Sequence, residues 1–315
     1  MQGLEQSLLE EIDAFARRLA AEAGEILLER FGKPLDVQFK EKDRTAPVTD
    51  VDKRVEQHLR AAIKQRFLDH QIVGEEGEDT PPQGSGFAWV LDPLDGTTNY
   101  LNGLPVFGSS IGVLYEGRPV VGSIYVPTSS FQEAGVYHGR LGGGAFFEER
   151  PIRVESTDVP QRSRLSGMPA HFAFVFNLAL PLRQHLGEVR SLGSISYEIG
   201  LVASGVFQYA VFGGPKIWDI AAGVIIVREA GGEALTRRWR KGDWRPLDAF
   251  EPMAGRGRNS QPALRNWGAS LVIGNPAIAR FVAAGARRRW RPLRRIMAMA
   301  RRWLVGPGSA PSRGA

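Results

Sequence analysis

Seven carboxylates sit at the structural junctions of four short segments that otherwise read as strand ends, turns and helix starts. They are Asp50 and Asp52 in PVTDVDKRVE, Glu75 and Glu76 in VGEEGED, Asp92 and Asp95 in VLDPLDGTTNY, and Asp219 in KIWDIAAG. Asp92 closes FAWVLD, an apolar run with the character of a buried strand, and no Lys or Arg stands within ten positions on either side. An isolated buried carboxylate costs several kcal/mol unless a partner or a metal offsets it. Hard divalent cations such as Mg2+ take oxygen ligands and usually keep water and phosphate in their shell. The complement stands beside them in Gly96, Thr97 and Thr98. A glycine lets backbone approach an anion closely, and the N–H groups of a helix start point partial positive charge at it. Carboxylates for a metal next to amides for a phosphate make phosphoryl chemistry the expectation.

Each segment alone has a plainer account. Thr49 with Asp52 fits a capping box, and GEEGED fits a solvated acidic loop. Asp95-Gly96 is a common turn pair with Thr97 as a helix cap, and Asp219 fits a cap for the helix after it. Their joint occurrence around a buried strand end is what points to a site.

Several elements must position these acids. Leu4, Leu8, Ile12, Phe15, Leu19, Ala23, Ile26, Leu27 and Phe31 recur at three-and-four spacing, which predicts one long amphipathic helix ended by Gly32 and Pro34. A second helix is predicted from about Thr49, with Val55, Leu59, Ile63 and Phe67 inside. A Pro/Gly-rich loop from Thr80 to Gly86 leads to the strand FAWVLD. SIGVLYEGRPVVGSIYVP then reads as two strands about a Glu116-Gly117 turn, and EAGVYHGRLGGGAFFEERPIRV continues an antiparallel meander. After a polar link from Glu155 to Ser163 come FAFVFNLAL as strand or helix, a helix at SISYEIGLVASG and a strand at FQYAVF. A helix at DIAAGVIIVREAGG stopping at Gly231, and a final strand and helix in SLVIGNPAIARFVAAG, complete the pattern. Helices segregated from mostly antiparallel strands predict a layered α+β sandwich.

The 315 residues are 43% hydrophobic, ample for a core, and contain no cysteine, which removes thiolate chemistry and fits a reducing cytoplasm. The acidic start MQGLEQSLLEEIDAF does not read as a signal peptide, and no apolar run reaches the roughly 18 residues of a membrane span. The net charge of +6 is local: ten arginines and no acid follow residue 279, which leaves the first 279 residues at −4. A mildly acidic body argues against a nucleic-acid-binding face and leaves no obligate nucleic acid to expect.

GEEG, WVLDPLDGTTNY and WDIAAGVIIVREAGG, with PVTDVDKRVE upstream, resemble the inositol monophosphatase family of metal-dependent, lithium-sensitive phosphatases, from the first helix to about Ala284. The family also holds fructose bisphosphatases, histidinol phosphatases and 3′(2′),5′-bisphosphate nucleotidases. The resemblance implies an αβαβα sandwich in a phosphatase domain over residues 1–285, built of two halves (about 1–155 and 156–285). It implies that Glu75, Asp92 and the Leu94 carbonyl hold a first Mg2+, that Asp92, Asp95 and Asp219 hold a second, and that Glu75 helps bind a third. Asp52 and Thr97 would activate the attacking water, the Gly96 and Thr97 amides would bind phosphate, and Gly193 and Ser194 would line the substrate. A homodimer acting on a small phosphorylated metabolite, inositol monophosphate first, is also implied. Relatives that use inositol phosphate carry a glutamate seven residues before the W-D aspartate. Here that position is Phe212, which cannot accept polyol hydrogen bonds; it would stack on a base or sugar face, or belong to the core.

Rival motifs are weaker. Haloacid-dehalogenase phosphatases place one residue between their paired aspartates and form an aspartyl phosphate, whereas Pro93 and Leu94 both intervene here. GSSIG around Ser110 matches a serine-hydrolase elbow only formally, because strand and not helix follows it. RLGGGAF lacks a P-loop lysine and reads as a hairpin tip. The segment 286–315 is a separate basic tail: within it ARRRWRPLRRIMAMARRWLV carries eight arginines among Trp290, Leu293, Ile296, Met297, Met299, Trp303 and Leu304, the composition of an interfacial helix. A solvated tail, or contact with anionic membrane or RNA that would make the protein peripheral at the membrane, are the readings open to it.

Overall fold

The structure is a computed structural model describing residues 4–39, 47–82, 84–170, 172, 176–238, 242–255 and 261–288. Helix α1 spans Gln6–Arg30 and buries Leu9, Ile12, Ala16, Leu19, Ala23 and Leu27, the inner stripe of its three-and-four pattern. Gly32 follows at a φ of 73° and turns the chain away. Strand β1 (Val37–Phe39) pairs antiparallel with β2 (Pro47–Thr49), which delivers the chain to helix α2 (Asp50–Arg66). Thr49 and Asp52 form the predicted capping box at that start.

A seven-stranded sheet follows in the order β3 (Gln71–Gly74), β4 (Phe87–Asp95), β5 (Gly108–Tyr115), β6 (Arg118–Val126), β7 (Gly135–Arg140), β8 (Gly144–Phe147) and β9 (Arg150–Pro151). The meander from β4 onward is antiparallel as expected, but β3 lies parallel to β4, with Gly74 opposite Leu91. β4 also runs past Asp92: its register with β5 shifts between Asp92–Ser110 and Asp95–Gly108, so Pro93 and Leu94 are taken up in an irregularity at the strand end. The one-turn helix α3 (Thr97–Leu101) begins there.

A second, six-stranded sheet has the order β12 (Glu188–Arg190), β10 (Leu165–Gly167), β13 (Phe207–Phe212), β16 (Ser270–Gly274), β14 (Glu233–Arg237) and β15 (Arg245–Pro246). It is mixed, because β10 runs parallel to both β12 and β13. Within FAFVFNLAL, residues 173–175 lie outside the described residues, Phe176–Leu178 forms β11, paired with β17 (Ala286–Arg288), and helix α4 (Leu180–Gln184) starts at the segment's last residue. The basic segment therefore begins inside the fold at β17, while residues 289–315 lie outside the described residues.

The layers follow from which faces are apolar. α1 and α2 cover one face of the first sheet through Trp89, Leu91, Ile111 and Val113. Helices α5 (Ile195–Ala203) and α6 (Ile217–Glu229) fill the space between the sheets, joining Val90, Leu114 and Ile124 to Phe212 and Ile273. Helix α7 (Pro276–Gly285) and α4 close the far face on Tyr209, Val211 and Val272. The result is an αβαβα sandwich. α6 sits very close to the first sheet: a Cβ on Gly112 would come within 2.7 Å of the Ala221 Cβ, and one on Gly122 within 2.3 Å of the Ala222 carbonyl oxygen. Small residues on both partners bring the start of α6, and Asp219 with it, against the end of β4.

Candidate active site

Three separate elements end at one place. Glu75 follows β3, and its amide donates to the Leu91 carbonyl at 3.2 Å, which sets it beside Asp92. Ser110, the register partner of Asp92, donates its hydroxyl to the Trp218 carbonyl at 3.3 Å, which ties the strand to the residue before Asp219. Asp52 lies in the first turn of α2.

The acids act on one another. Asp92 is 1% exposed, and burial lifts its pKa far above the usual carboxylate range, with the charges of Glu75, Asp95, Asp219 and Asp52 adding to the rise. Asp219 is lifted likewise, by burial and then by Asp95 and Glu75. Burial also raises Asp95, against hydrogen bonds from Ser196 and Ser194 that favour its charged form. Asp52 is pushed up to about 6 by burial, opposed by its bonds from Thr49 and helped by the charge of Glu75. Five of the predicted acids thus form one electrostatic group. Asp50 does not join them: it faces the surface beside Arg30, 3.5 Å away.

The carboxylates share a field but not yet a coordination shell, since among the described residues no three acidic or histidine side chains are gathered as ligands of one ion. Each is turned to a local donor instead. Asp92 Oδ1 accepts the Leu94 amide at 3.1 Å, Asp219 Oδ2 accepts the Lys216 amide at 2.7 Å, and Asp52 Oδ2 accepts the Thr49 amide at 2.8 Å. The capping-box account of Asp52 holds, whereas Asp219 is not the cap of its helix, which starts at Ile217, but its third residue bonding back to the capping Lys216. Four or five bare carboxylates repel one another, and local amides are the partners each can reach alone.

Gly96 stands at a φ of 88° as the cap of α3, where a Cβ would meet the Ser194 Cβ at 3.0 Å and the Val106 carbonyl oxygen at 3.1 Å. Thr97 is consequently the first helical residue and not the cap, and its hydroxyl donates to the Leu94 carbonyl at 3.0 Å, the same carbonyl expected among the metal ligands. Ser194 caps α5 and its hydroxyl also donates to Asp95 Oδ2 at 2.8 Å. Gly193, Ser194, Phe212 and Asp219 line one cavity of about 410 Å3, so the predicted substrate residues and one predicted metal ligand share a space. Phe212 belongs to the core between the sheets, 5% exposed, and also forms part of the cavity wall.

Glu198 and Ser196 escape a reading by motif. Glu198 lines the same cavity, accepts the Leu192 amide at 2.7 Å, and is pushed up to about 7 by burial. Its one sequence signal is an acid inside the otherwise apolar helix ISYEIGLVA. Ser196 gives Asp95 Oδ2 two bonds, from its amide at 2.6 Å and its hydroxyl at 2.7 Å. Ser110 lies on β5 with strand after it, which removes the serine-hydrolase elbow, and residues 141–143 form the turn between β7 and β8, which Gly144 opens.

A layered α+β fold that brings buried acids from several elements beside a glycine-started helix defines a phosphate-handling hydrolase. The chain belongs to the inositol monophosphatase family, whose model matches residues 8–267. It is 33% identical over 222 residues to a fructose-1,6-bisphosphatase/inositol-1-monophosphatase of Aquifex aeolicus, covering 69% of this chain and 82% of that one. It is 34% identical over 229 residues to a histidinol-phosphatase of Chlorobaculum parvum, covering 72% and 86%. The structure of an inositol monophosphatase from Anabaena superposes with a TM-score of 0.64 at 26% identity, over 88% of this chain and 95% of that one. The chain is a phosphoric monoester hydrolase of this family. Among the described residues no helix is long and apolar enough to cross a membrane.

Proposed function

We propose that the protein hydrolyses a small phosphorylated metabolite in a Mg2+-dependent reaction, with inositol monophosphate the first substrate to test. The observation that carries this reading is Asp92, buried where the regular pairing of β4 stops and acted on by the negative charges of four other acids. An all-oxygen donor set under mutual repulsion fits a hard divalent cation. Glu75, Asp92, Asp95, Asp219 and the Leu94 carbonyl would hold two or three Mg2+ ions, Glu75 serving the loosest. Bound Mg2+ supplies the positive charge this group lacks, offsets the phosphoryl oxygens and lowers the pKa of water.

The chain's own residues have defined parts. Asp52, at about 6, has the basicity to take a proton from the attacking water at neutral pH. The Thr97 hydroxyl, fixed by donating to the Leu94 carbonyl, presents oxygen lone pairs that orient that water. The Gly96 and Thr97 amides bind the phosphate, and Gly193, Ser194 and Phe212 contact the alcohol portion. Water attacks phosphorus directly, the ester P–O bond breaks, and the alcohol leaves with a proton. A homodimer in the cytoplasm completes the reading.

Release of inorganic phosphate from inositol monophosphate, fructose 1,6-bisphosphate, histidinol phosphate and a 3′-phosphonucleotide, measured with Mg2+ and with or without lithium, tests it. Mg2+-dependent, lithium-inhibited release from one class is the expected result. Release from none, or a phosphoaspartate trapped on Asp92, overturns it.

A second reading concerns the basic segment alone, where ten arginines without an acid after residue 279 favour contact with anionic membrane or RNA. Anionic-liposome pelleting and RNA filter binding of the full chain are compared with a chain ending at Arg288, which keeps β17. Equal pelleting and equal RNA retention by the two would remove this reading.

A further inference from the structure

The loop that carries Glu75 is held by residues from two distant parts of the chain. From α2, the nearly buried Glu56 accepts the Glu76 amide on Oε2 at 2.7 Å and the Gly77 amide on Oε1 at 2.7 Å. Arg60, one turn further along α2, donates its Nε to Glu56 Oε1 at 2.6 Å and fixes that carboxylate. From the single turn Leu264–Asn266, Arg265 donates its Nη2 to the Gly74 carbonyl at 2.9 Å and the Gly77 carbonyl at 3.4 Å. Its Nε stands 3.7 Å from Asp79 Oδ2. Both ends of Gly74-Glu75-Glu76-Gly77 are thereby tied.

The glycines of GEEG have their reason here. A Cβ on Gly74 would lie 2.3 Å from Glu56 Oε1, and one on Gly77 would lie 2.7 Å from the same atom. Only residues without a side chain let the Glu56 carboxylate come so near the loop backbone.

We propose that Glu56 and Arg265 are positioning residues for the Glu75 carboxylate, and that by clamping residues 74–77 they set the site's affinity for Mg2+. This rests on the reading of Glu75 as a Mg2+ ligand. Neither residue touches the reacting groups; both act through the loop. Partners that orient a ligand typically change metal affinity 10–100-fold when removed. Arg265 also makes the contribution of the second half of the chain explicit: a turn beyond residue 260 fixes a loop of the first sheet.

The test is Mg2+ titration of the full-length protein by calorimetry, with melting temperature in EDTA as the control, for wild type, Glu56→Gln, Arg265→Lys and Arg265→Ala. Glu56→Gln keeps one acceptor oxygen but sets an amide N–H2 against a backbone N–H. It is expected to weaken Mg2+ binding about tenfold. Arg265→Ala is expected to match it and Arg265→Lys to lose less, because a lysine can bond one carbonyl but cannot reproduce the fork. Amide exchange at Glu76 and Gly77 should accelerate in Glu56→Gln while the core of α2 stays protected. Folded Glu56→Gln and Arg265→Lys proteins that bind Mg2+ within twofold of wild type overturn the proposal, as does a loss confined to melting temperature. Should Arg265→Ala not fold, Arg265→Lys carries the reading for that position. A wild-type protein that shows no Mg2+ binding sinks the metal reading itself and this inference with it.

Discussion

The Ser194 hydroxyl donates to Asp95 Oδ2 at 2.8 Å across 99 residues of chain. Ser196 adds its amide and hydroxyl to the same oxygen, so the start of α5 wraps one carboxylate of the candidate metal group with three donors. The loop that lines the substrate cavity and the acid at the end of β4 are therefore one mechanical unit.

Separating the two serines tests that unit. Ser194 also caps α5 by accepting the Tyr197 amide, whereas Ser196 has no capping role. Ser196→Ala should lower kcat/KM about tenfold to a hundredfold, the range for losing a hydrogen bond to a charged group, with little change in melting temperature. Ser194→Ala should show a similar kinetic loss and in addition about 1 kcal/mol of lost stability from the cap. Steady-state kinetics with paired calorimetric melts check both. Unchanged kcat/KM in Ser196→Ala would contradict the coupling.

Asp92→Asn and Asp219→Asn make opposite demands on activity and stability. Each should abolish turnover, because each removes a carboxylate assigned to the metal. Each should also raise the melting temperature in EDTA at pH 7, since burial and neighbouring acids disfavour the charge that the amide lacks. A rise of roughly 2 °C or more is expected, about what 1 kcal/mol gives in a domain of this size range. A variant with full activity, or one that melts lower in EDTA with turnover lost, would separate these acids from the proposed role.

How much of this was legible in the residues varies with range. The end of β4 announced itself because the apolar run from Phe87 to Leu91 stops on an acid, and a second acid, Asp95, is followed at once by a glycine. Local propensity misled at Thr97, which has a capping residue's chemistry but is preceded by Gly96 in the left-handed conformation, so the glycine takes the cap. The parallel pairing of β3 was not legible, because four residues carry no mark of strand direction. Ser196, Glu56 and Arg265 were invisible for a different reason: the groups they serve lie elsewhere, 101 residues away for Ser196 with Asp95, 20 for Glu56 with Glu76 and 191 for Arg265 with Gly74. No periodicity encodes such a contact, and only the layering of the two sheets creates it.

The acids also set a pH dependence. Asp52 rises from 3.8 to about 6 and Glu198 from 4.5 to about 7, and Asp92, Asp95 and Asp219 shift in the same direction. The folded protein therefore binds these protons more tightly than the unfolded chain. For Asp52 and Glu198 that contribution is fully present below about pH 4 and is lost as pH rises through 6 to 7. His70, lowered by burial, works singly in the opposite sense. The melting temperature in EDTA should fall between pH 5 and pH 8, while the increment given by Mg2+ should grow over the same interval as the cation replaces protons. Melts in EDTA and in excess Mg2+ across that range check it, and a Mg2+ increment that shrinks toward pH 8 would overturn it.

Phe212 and Glu198 line one cavity, and together they bear on which alcohol the phosphate leaves. Phe212 offers a polyol no hydrogen-bond acceptor, so a polyol here must find its acceptor elsewhere. Glu198 is the carboxylate the fold offers, although its Oε1 already holds the Leu192 amide. An aromatic wall gives a planar ring area and edge contacts that a polyol cannot use to the same extent. Phe212→Leu keeps an apolar side chain of sufficient size for the core but removes the flat face. It should lower kcat/KM for histidinol phosphate severalfold, within the 1 to 3 kcal/mol that pocket contacts of this size are worth, and leave inositol monophosphate and glycerol 2-phosphate within about twofold. Glu198→Gln should do the reverse, raising KM for inositol monophosphate more than for glycerol 2-phosphate with kcat little changed. Equal loss on all three esters in both variants would mean that the two residues support the fold of the cavity without selecting what enters it.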